Sequence, residues 1–260
     1  LLHGQNLTLG IVPQQSAKVL AQRWTPISQY LSEQTGFHIS FKTAKDIPTF
    51  ERRLLAGEYD LAYMNPYHYT VFSQRPGYLP LARERDKRIK GIVVVKRDSD
   101  ITDISQLRAQ TLAFPAPAAF AASVIPRAKM RDDALDITPK YVSSHDSVYL
   151  GVAKGFFPAG GGVKRTFNNA PAAVRDQLRI LWTTPGYTPH ALAAHPRVDE
   201  AARAKVLAAL LGMHNSERGR ALLQSVKFKQ LSAAQDSDWD DVRQLNITLL
   251  DHLLNAPEEQ

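Results

Sequence analysis

Residues 7–12 read LTLGIV and are closed by Pro13; residues 59–64 read YDLAYM and run into Asn65-Pro66. Both are short apolar runs of the kind that form buried strands. Between them, Ser16 can cap a helix running through Trp24 to Gln34. Its apolar positions Val19, Leu20, Ile27 and Leu31 recur at helical spacing, with Pro26 inside the pattern and Gly36 to stop it. Residues 39–43 alternate as a second strand, and residues 47–56 form a short amphipathic helix that Gly57 ends. This β-α-β-α-β order predicts an α/β fold with a parallel sheet and helices on its faces. Ligands of such sheets sit beyond the carboxyl ends of the strands. Those ends are here Pro13-Gln14-Gln15-Ser16 and Asn65-Pro66-Tyr67-His68-Tyr69.

The order then starts again. Residues 91–95 (GIVVV) read as a strong strand, residues 104–107 as a short helix and residues 111–114 as a strand that ends in Pro115-Ala116-Pro117-Ala118-Ala119. An apolar helix follows from about residue 120 to residue 129, with Pro126 inside it. Residues 140–142 are another strand, and Ser143-Ser144-His145-Asp146 caps a helix to Lys154. Gly160-Gly161-Gly162 breaks the pattern; residues 178–183 and 191–194 are further strands, and the tail is mostly helical over 201–211 and 239–254. The restart predicts two lobes, the first discontinuous over 1–96 and 191–260, the second over 97–190.

Composition bounds the function. The chain has 260 residues, 44% hydrophobic and 22% charged, ordinary for a globular protein and long enough for two modest lobes or one large domain. No apolar run approaches the ~20 residues of a membrane helix. Leu1-Leu2-His3-Gly4 is too short to be the apolar segment of a signal peptide, so an export signal is expected outside these residues. Cysteine is absent, which removes disulfides, zinc–thiolate sites and thiol nucleophiles. The formal charge of +7 concentrates anions near the surface. The basic residues are scattered, and their densest stretch, 83–97, mixes in Glu84 and Asp86 and reads as a solvated hairpin. No interleaved aromatics suggest single-stranded nucleic acid, so no nucleic-acid partner is expected.

An enzyme is disfavoured. No G-x-S-x-G is present, and Lys164-Arg165-Thr166 follows the glycines too loosely for a phosphate loop. His190 and His195 lack metal-ligand spacing, and no metal or cofactor is expected. The candidate contacts are those of a binding site. His145, flanked by Ser144 and Asp146 at a strand-to-helix junction, can donate to an oxyanion; the plainer reading is a helix cap with His145 exposed beside it. Tyr63, Asn65, Tyr67 and His68 supply rings and amides at a strand end, although Tyr63 could be core and Tyr67 could pack on the next helix. Gln14 and Ser16 follow the first strand, where Ser16 also suits a cap. The glycines let backbone approach a ligand or form a turn, and Lys164 and Arg165 are either charge partners or surface.

Taken in order, a series of short motifs resembles one family. They are Gly10-Ile11-Val12-Pro13 with Ser16-Ala17, Trp24 and Pro26, Tyr30-Leu31, Gly57, Asp60-Leu61-Ala62-Tyr63, and Pro66 with Tyr69. Val94-Val95 with Asp98-Ser99, Leu107, Pro126-Arg127-Ala128, Ser144-His145-Asp146 and Leu181-Trp182-Thr183 with Pro185 continue the series. Over nearly its whole length the chain is similar to the substrate-binding proteins of phosphate, phosphite and phosphonate ABC importers. That resemblance implies the periplasmic binding protein type II fold, with two α/β lobes joined by two crossing strands, here near Lys96 and His190. The ligand would lie in the cleft between the lobes, which closes on it. It implies capture of a small anion, phosphonate-like, phosphite-like or another oxyanion or organic acid, for an ABC permease. The protein would act as a monomer, in the periplasm or lipid-anchored outside the inner membrane. Two alternatives use the same fold: a ligand-sensing module for a membrane signalling partner, and, more remotely, an enzyme. Import genes next door favour the first function, a kinase or cyclase gene the second, and turnover the third.

Two departures bear on the ligand. The family's second-lobe helix begins with Ser-Thr-Ser hydroxyls that grip the oxyanion; counting back from Pro126, those positions are Ala119, Phe120 and Ala121. Backbone N–H groups remain there. The family's acidic residue for a ligand amine falls in Gly161, Gly162, Val163 and Lys164. Each lost hydrogen bond to a charged oxygen is worth about 1.5–3 kcal/mol. Weak binding of 2-aminoethylphosphonate is therefore expected in calorimetric titration, and submicromolar affinity would show that the missing hydroxyls do not matter.

Overall fold

In the computed structural model, which describes residues 4–257, the run at 7–12 becomes strand β1 (Asn6–Ile11). β2 (His38–Lys42), β3 (Leu61–Met64) and β4 (Leu79–Glu84) follow, linked by helices Ala17–Thr35, Ile47–Leu55 and Pro66–Phe72. Next come β5 (Ile92–Lys96), β6 (Thr111–Phe114), β7 (Thr138–Tyr141), β8 (Gly160–Gly162) and β9 (Leu178–Thr183), then β10 (Ala191–Ala194) and β11 (Leu231–Ala233). The chain divides into two compact units. One holds the chain up to Lys87, Thr188–Gln244 and the chain from Thr248; the other holds Arg88–Tyr187 and Leu245–Ile247. Among the described residues, no helix is long and apolar enough to cross a membrane.

The first unit's sheet runs β11-β4-β10-β3-β1-β2. β1 pairs in parallel with β2 and β3, while β10 is antiparallel to β3 and β4. Ser16 Oγ accepts the Val19 N–H at 3.3 Å and starts the long helix. Gly36 closes it at φ 77°, a left-handed conformation that costs glycine no Cβ clash. The helix continues through Pro26 and buries Leu20, Trp24, Ile27 and Leu31 in one core with Leu7, Leu9 and Ile11 of β1.

The second unit's sheet runs β7-β6-β8-β5-β9. Ile92 and Val94 enter a core with Val148, Tyr149 and Val152 of helix His145–Ala153. Val93 and Val95 enter another with Leu112, Phe114 and Met130. A strand covered on both sides needs no polar alternation, which is why GIVVV is continuous.

Several expectations need correction. β5 belongs to the second sheet, paired with β8 and β9, so the chain changes unit at Lys87 and Arg88 and returns at Tyr187 and Thr188. The expected boundaries at 96 and 190 ignored where an apolar strand can hide both faces. For the same reason 83–97 is no hairpin: β4 and β5 lie in different sheets. The glycines do not break the pattern or form a turn; they are strand β8, fully buried and paired with β5 and β6. The helix expected over 239–254 is two short pieces, Asp240–Arg243 and Asp251–Leu254. β4, β11 and the helix Pro66–Phe72 had no reading in the sequence. The reading of Leu1 to His3 lies outside the described residues.

A Cβ on Gly161 would lie 2.0 Å from the Ala122 carbonyl oxygen and 2.7 Å from the Phe114 ring. Backbone cannot yield as a flexible side chain does. Gly161→Ala should therefore destabilise the protein by about 3 kcal/mol, measured by urea unfolding; a change below about 0.5 kcal/mol would contradict this packing.

Candidate functional site

In the first unit, Ile11 of β1 pairs with Tyr63 of β3, so the two parallel strands end side by side. Tyr63 is half-buried. Its ring stacks on His190 at 5.1 Å and 25° and packs on Trp24 at 5.3 Å. Burial, with Glu84 adding to it, pushes the Tyr63 pKa far up, so the hydroxyl stays a neutral donor. Gln14 Nε2 lies 3.1 Å from His190 Nε2. Burial, Lys87 and His68 together drive the His190 pKa down to about 3, so the ring is neutral at ordinary pH. A neutral ring that accepts the Gln14 amide proton at Nε2 carries its own proton on Nδ1.

The other first-unit candidates are committed elsewhere. Asn65 Oδ1 accepts the His68 N–H at 2.8 Å and caps the next helix. The Tyr67 hydroxyl accepts the Leu250 N–H at 2.9 Å, and burial pushes its pKa up to about 12. His68 is 1% exposed, with Nε2 2.8 Å from Glu51 Oε2 and the ring 6.0 Å from both Phe50 and Phe72. The helix is the common cause: Asn65 caps it, and every residue of Pro66–Phe72 is buried, so Tyr67 and His68 enter the core. Ser16 is a cap, and Gln15 Oε1 accepts from Arg23 at 3.2 Å.

In the second unit, β6 leads to a π-helical turn, Phe120–Val124, that continues as the α-helix Ile125–Asp132. Ala119 precedes it without a side-chain cap. The first N–H groups of a helix have no intrahelical acceptor and favour anions. Ala119 and Ala121 are half-buried, whereas Phe120 is buried, edge-on to Tyr187 at 6.4 Å. The Phe120 side chain is thus committed to packing within the second unit.

His145 begins the helix that Ser144 caps: Ser144 Oγ accepts the Ser147 N–H at 3.0 Å. His145 Nδ1 lies 2.9 Å from Thr166 Oγ1, which lies 2.6 Å from the Tyr149 hydroxyl. The Val163 N–H donates to that hydroxyl at 3.2 Å, and the Val163 carbonyl lies 3.1 Å from it and 3.0 Å from Thr166 Oγ1. Protons can run either way. If Tyr149 donates to the Val163 carbonyl and Thr166 to Nδ1, then Nε2 carries the ring's proton; in the reverse chain Nε2 accepts. Burial lowers the His145 pKa, with Arg165 adding to it and Asp146 opposing. Asp146, Lys164 and Arg165 are exposed. Sequence reasoning missed Tyr149, Thr166 and His190 as site members, since nothing near them in the chain marks them.

The environment of His190 is testable directly. An NMR titration of its ring should show a midpoint far below the usual ~6.5, leaving it neutral at pH 5. A midpoint at or above 6.5 would overturn the neutral-donor assignment.

A family model described as "ABC transporter, phosphonate, periplasmic substrate-binding protein" matches residues 9–239. The phosphate-import protein PhnD of Mycolicibacterium smegmatis is 22% identical over 201 residues, covering 68% of this chain. The chain spans 62% of that curated relative's length. Among solved structures, PhnD1 of Prochlorococcus marinus in complex with methylphosphonate is 18% identical, with a TM-score of 0.75 over 93% of this chain and 97% of that one. A Xanthomonas citri protein solved bound to ATP is 17% identical, with a TM-score of 0.81 over 98% of this chain and 100% of that one. These likenesses establish the two-lobed type II binding-protein fold. With the family model matching most of its length, the chain belongs to the periplasmic substrate-binding proteins of phosphonate ABC transporters.

Proposed function

We propose that this protein captures a small phosphorus oxyanion and delivers it to an ABC permease, acting outside the inner membrane as a monomer without catalysing a reaction. The observation that carries this reading is the His145–Thr166–Tyr149 network, which holds a neutral imidazole with one nitrogen uncommitted beside a helix start. Tyr63, Gln14 and His190 supply a second set of neutral groups at the ends of β1 and β3. Neutral donors in fixed positions bind an oxyanion through geometry, and they release it more readily than a cluster of arginines would. Release matters for a protein that hands its ligand on. The uncapped backbone at Phe120 and Ala121 adds N–H donors where hydroxyls are missing, whereas the Ala119 N–H is already given to the Ala116 carbonyl at 3.3 Å.

A second reading is favoured by one observation: the similar Xanthomonas citri protein was solved with ATP bound. On that reading the oxyanion is the phosphate chain of a nucleotide.

Native mass spectrometry of freshly purified protein should reveal a retained anion, and its mass separates an alkylphosphonate or phosphate from a nucleotide. In calorimetry with methylphosphonate, His145→Ala should weaken binding by roughly 1–3 kcal/mol, the worth of a hydrogen bond to a charged oxygen. Unchanged affinity would remove His145 from the site.

A further inference from the structure

The end of β4 adds a charged pair to the Tyr63–His190 cluster. Leu192 of β10 pairs with Tyr63 on one side and with Ala82 of β4 on the other, so these three side chains share a sheet face. Two residues along β4, on that same face, stands Glu84, and His190, just before β10, stacks on the Tyr63 ring. Glu84 is the last residue of β4, paired with Leu231 of β11, and is 7% exposed. Its Oε1 lies 3.1 Å from Lys87 Nζ, and the Lys87 side chain is 48% exposed. The two charges reach the cluster: Lys87 helps to depress the His190 pKa, and Glu84 helps to raise that of Tyr63.

A buried carboxylate is costly unless a partner holds it. Here the partner is a lysine whose ammonium has three protons, of which Glu84 takes one. The half-exposed head keeps the others for solvent or ligand. The cluster's remaining members are neutral: Gln14 by nature, Tyr63 and His190 by burial. The positive charge in this group is therefore Lys87, on a short tether whose direction Glu84 sets.

We infer that Lys87, held on the buried Glu84 carboxylate beside the Tyr63–His190 stack, is the cationic contact that this chain offers to a phosphate or phosphonate group. The inference rests on the oxyanion reading above and adds the source of charge. The Glu84 carboxylate offsets the ammonium, so the pair orients the ligand without creating a strongly positive site. This also accounts for a polar residue kept buried in a sheet where an apolar one would pack at less cost.

The test is calorimetric titration of inorganic phosphate and of methylphosphonate into the parent protein, Lys87→Met and Lys87→Arg, at low and high salt. Lys87→Met should weaken the probe that binds the parent by about ten- to hundredfold, the effect of one charge-assisted hydrogen bond. It should also flatten the salt dependence, and Lys87→Arg should restore most of both. Thermal unfolding should show Lys87→Met less stable than the parent, because it leaves the buried Glu84 carboxylate without its partner, and Lys87→Arg, which keeps that pair, close to the parent. Equal affinity of parent and Lys87→Met overturns this inference and leaves the oxyanion reading standing. Failure of both probes to bind the parent overturns that reading and this inference with it.

Discussion

The carbonyl oxygens of Ala121 and Ala122 lie where Cβ atoms on Gly91 and Gly161 would have to be, at 1.9 and 2.0 Å from those positions. On the other face of β8, Val148 and the Tyr149 hydroxyl lie 2.4 and 2.2 Å from Cβ positions on Gly160 and Gly162. A central strand without side chains thus lets a helix start approach from one side and helix His145–Ala153 from the other. The functional geometry of the second unit depends on that approach. With Tyr149 seated over Gly162 its hydroxyl reaches Val163 and Thr166, and Thr166 in turn reaches His145. The glycines therefore position the candidate ligand groups from beneath.

The first unit solves a similar problem with rings. Trp24, Tyr63, Phe228 and His190 form a continuous packed series, from the helix side to the end of β10. Such packing holds a tyrosine and a histidine in fixed orientations at little entropic cost, because rings have few rotamers to lose. The same burial keeps both groups neutral. Packing and protonation state have one cause here: the low-dielectric surroundings that stack the rings also disfavour their charged forms. Apart from Lys87, the groups proposed to meet an anion in both units are neutral imidazole, hydroxyl, amide and backbone N–H donors, although the chain as a whole carries a formal charge of +7. The basic residues near them, Lys164 and Arg165, are exposed.

Much of the fold was legible because the strands announce themselves locally. LTLGIV, YDLAYM and GIVVV are short apolar runs bounded by proline, glycine or asparagine, and each becomes a strand. The caps were legible for the same reason: Ser16, Ser144 and Gly36 act on backbone groups a few residues away. Sheet membership was not. β5 reads identically whether it pairs with β4 or with β8 and β9, since the partner is chosen by burial of both faces. Gly160-Gly161-Gly162 carries no side-chain signal of strand or loop, and only its neighbours above and below decide between them.

The site divides along the same line. From the residues alone, His145 at a helix start and Tyr63 at a strand end could be singled out, because position on an element follows from local pattern. The amino-acid order also determined the family, through motifs spread over nearly the whole chain. What only the tertiary structure decided was which polar groups remain uncommitted. Asn65, Tyr67 and His68 stand beside Tyr63 in the sequence, yet they turn inward to cap, Leu250 and Glu51. His190, far away in the chain, lies on the Tyr63 ring. The physical reason is that hydrogen-bond commitment and desolvation depend on which atoms meet in space. Chain order limits those meetings only within a helical turn or along one strand.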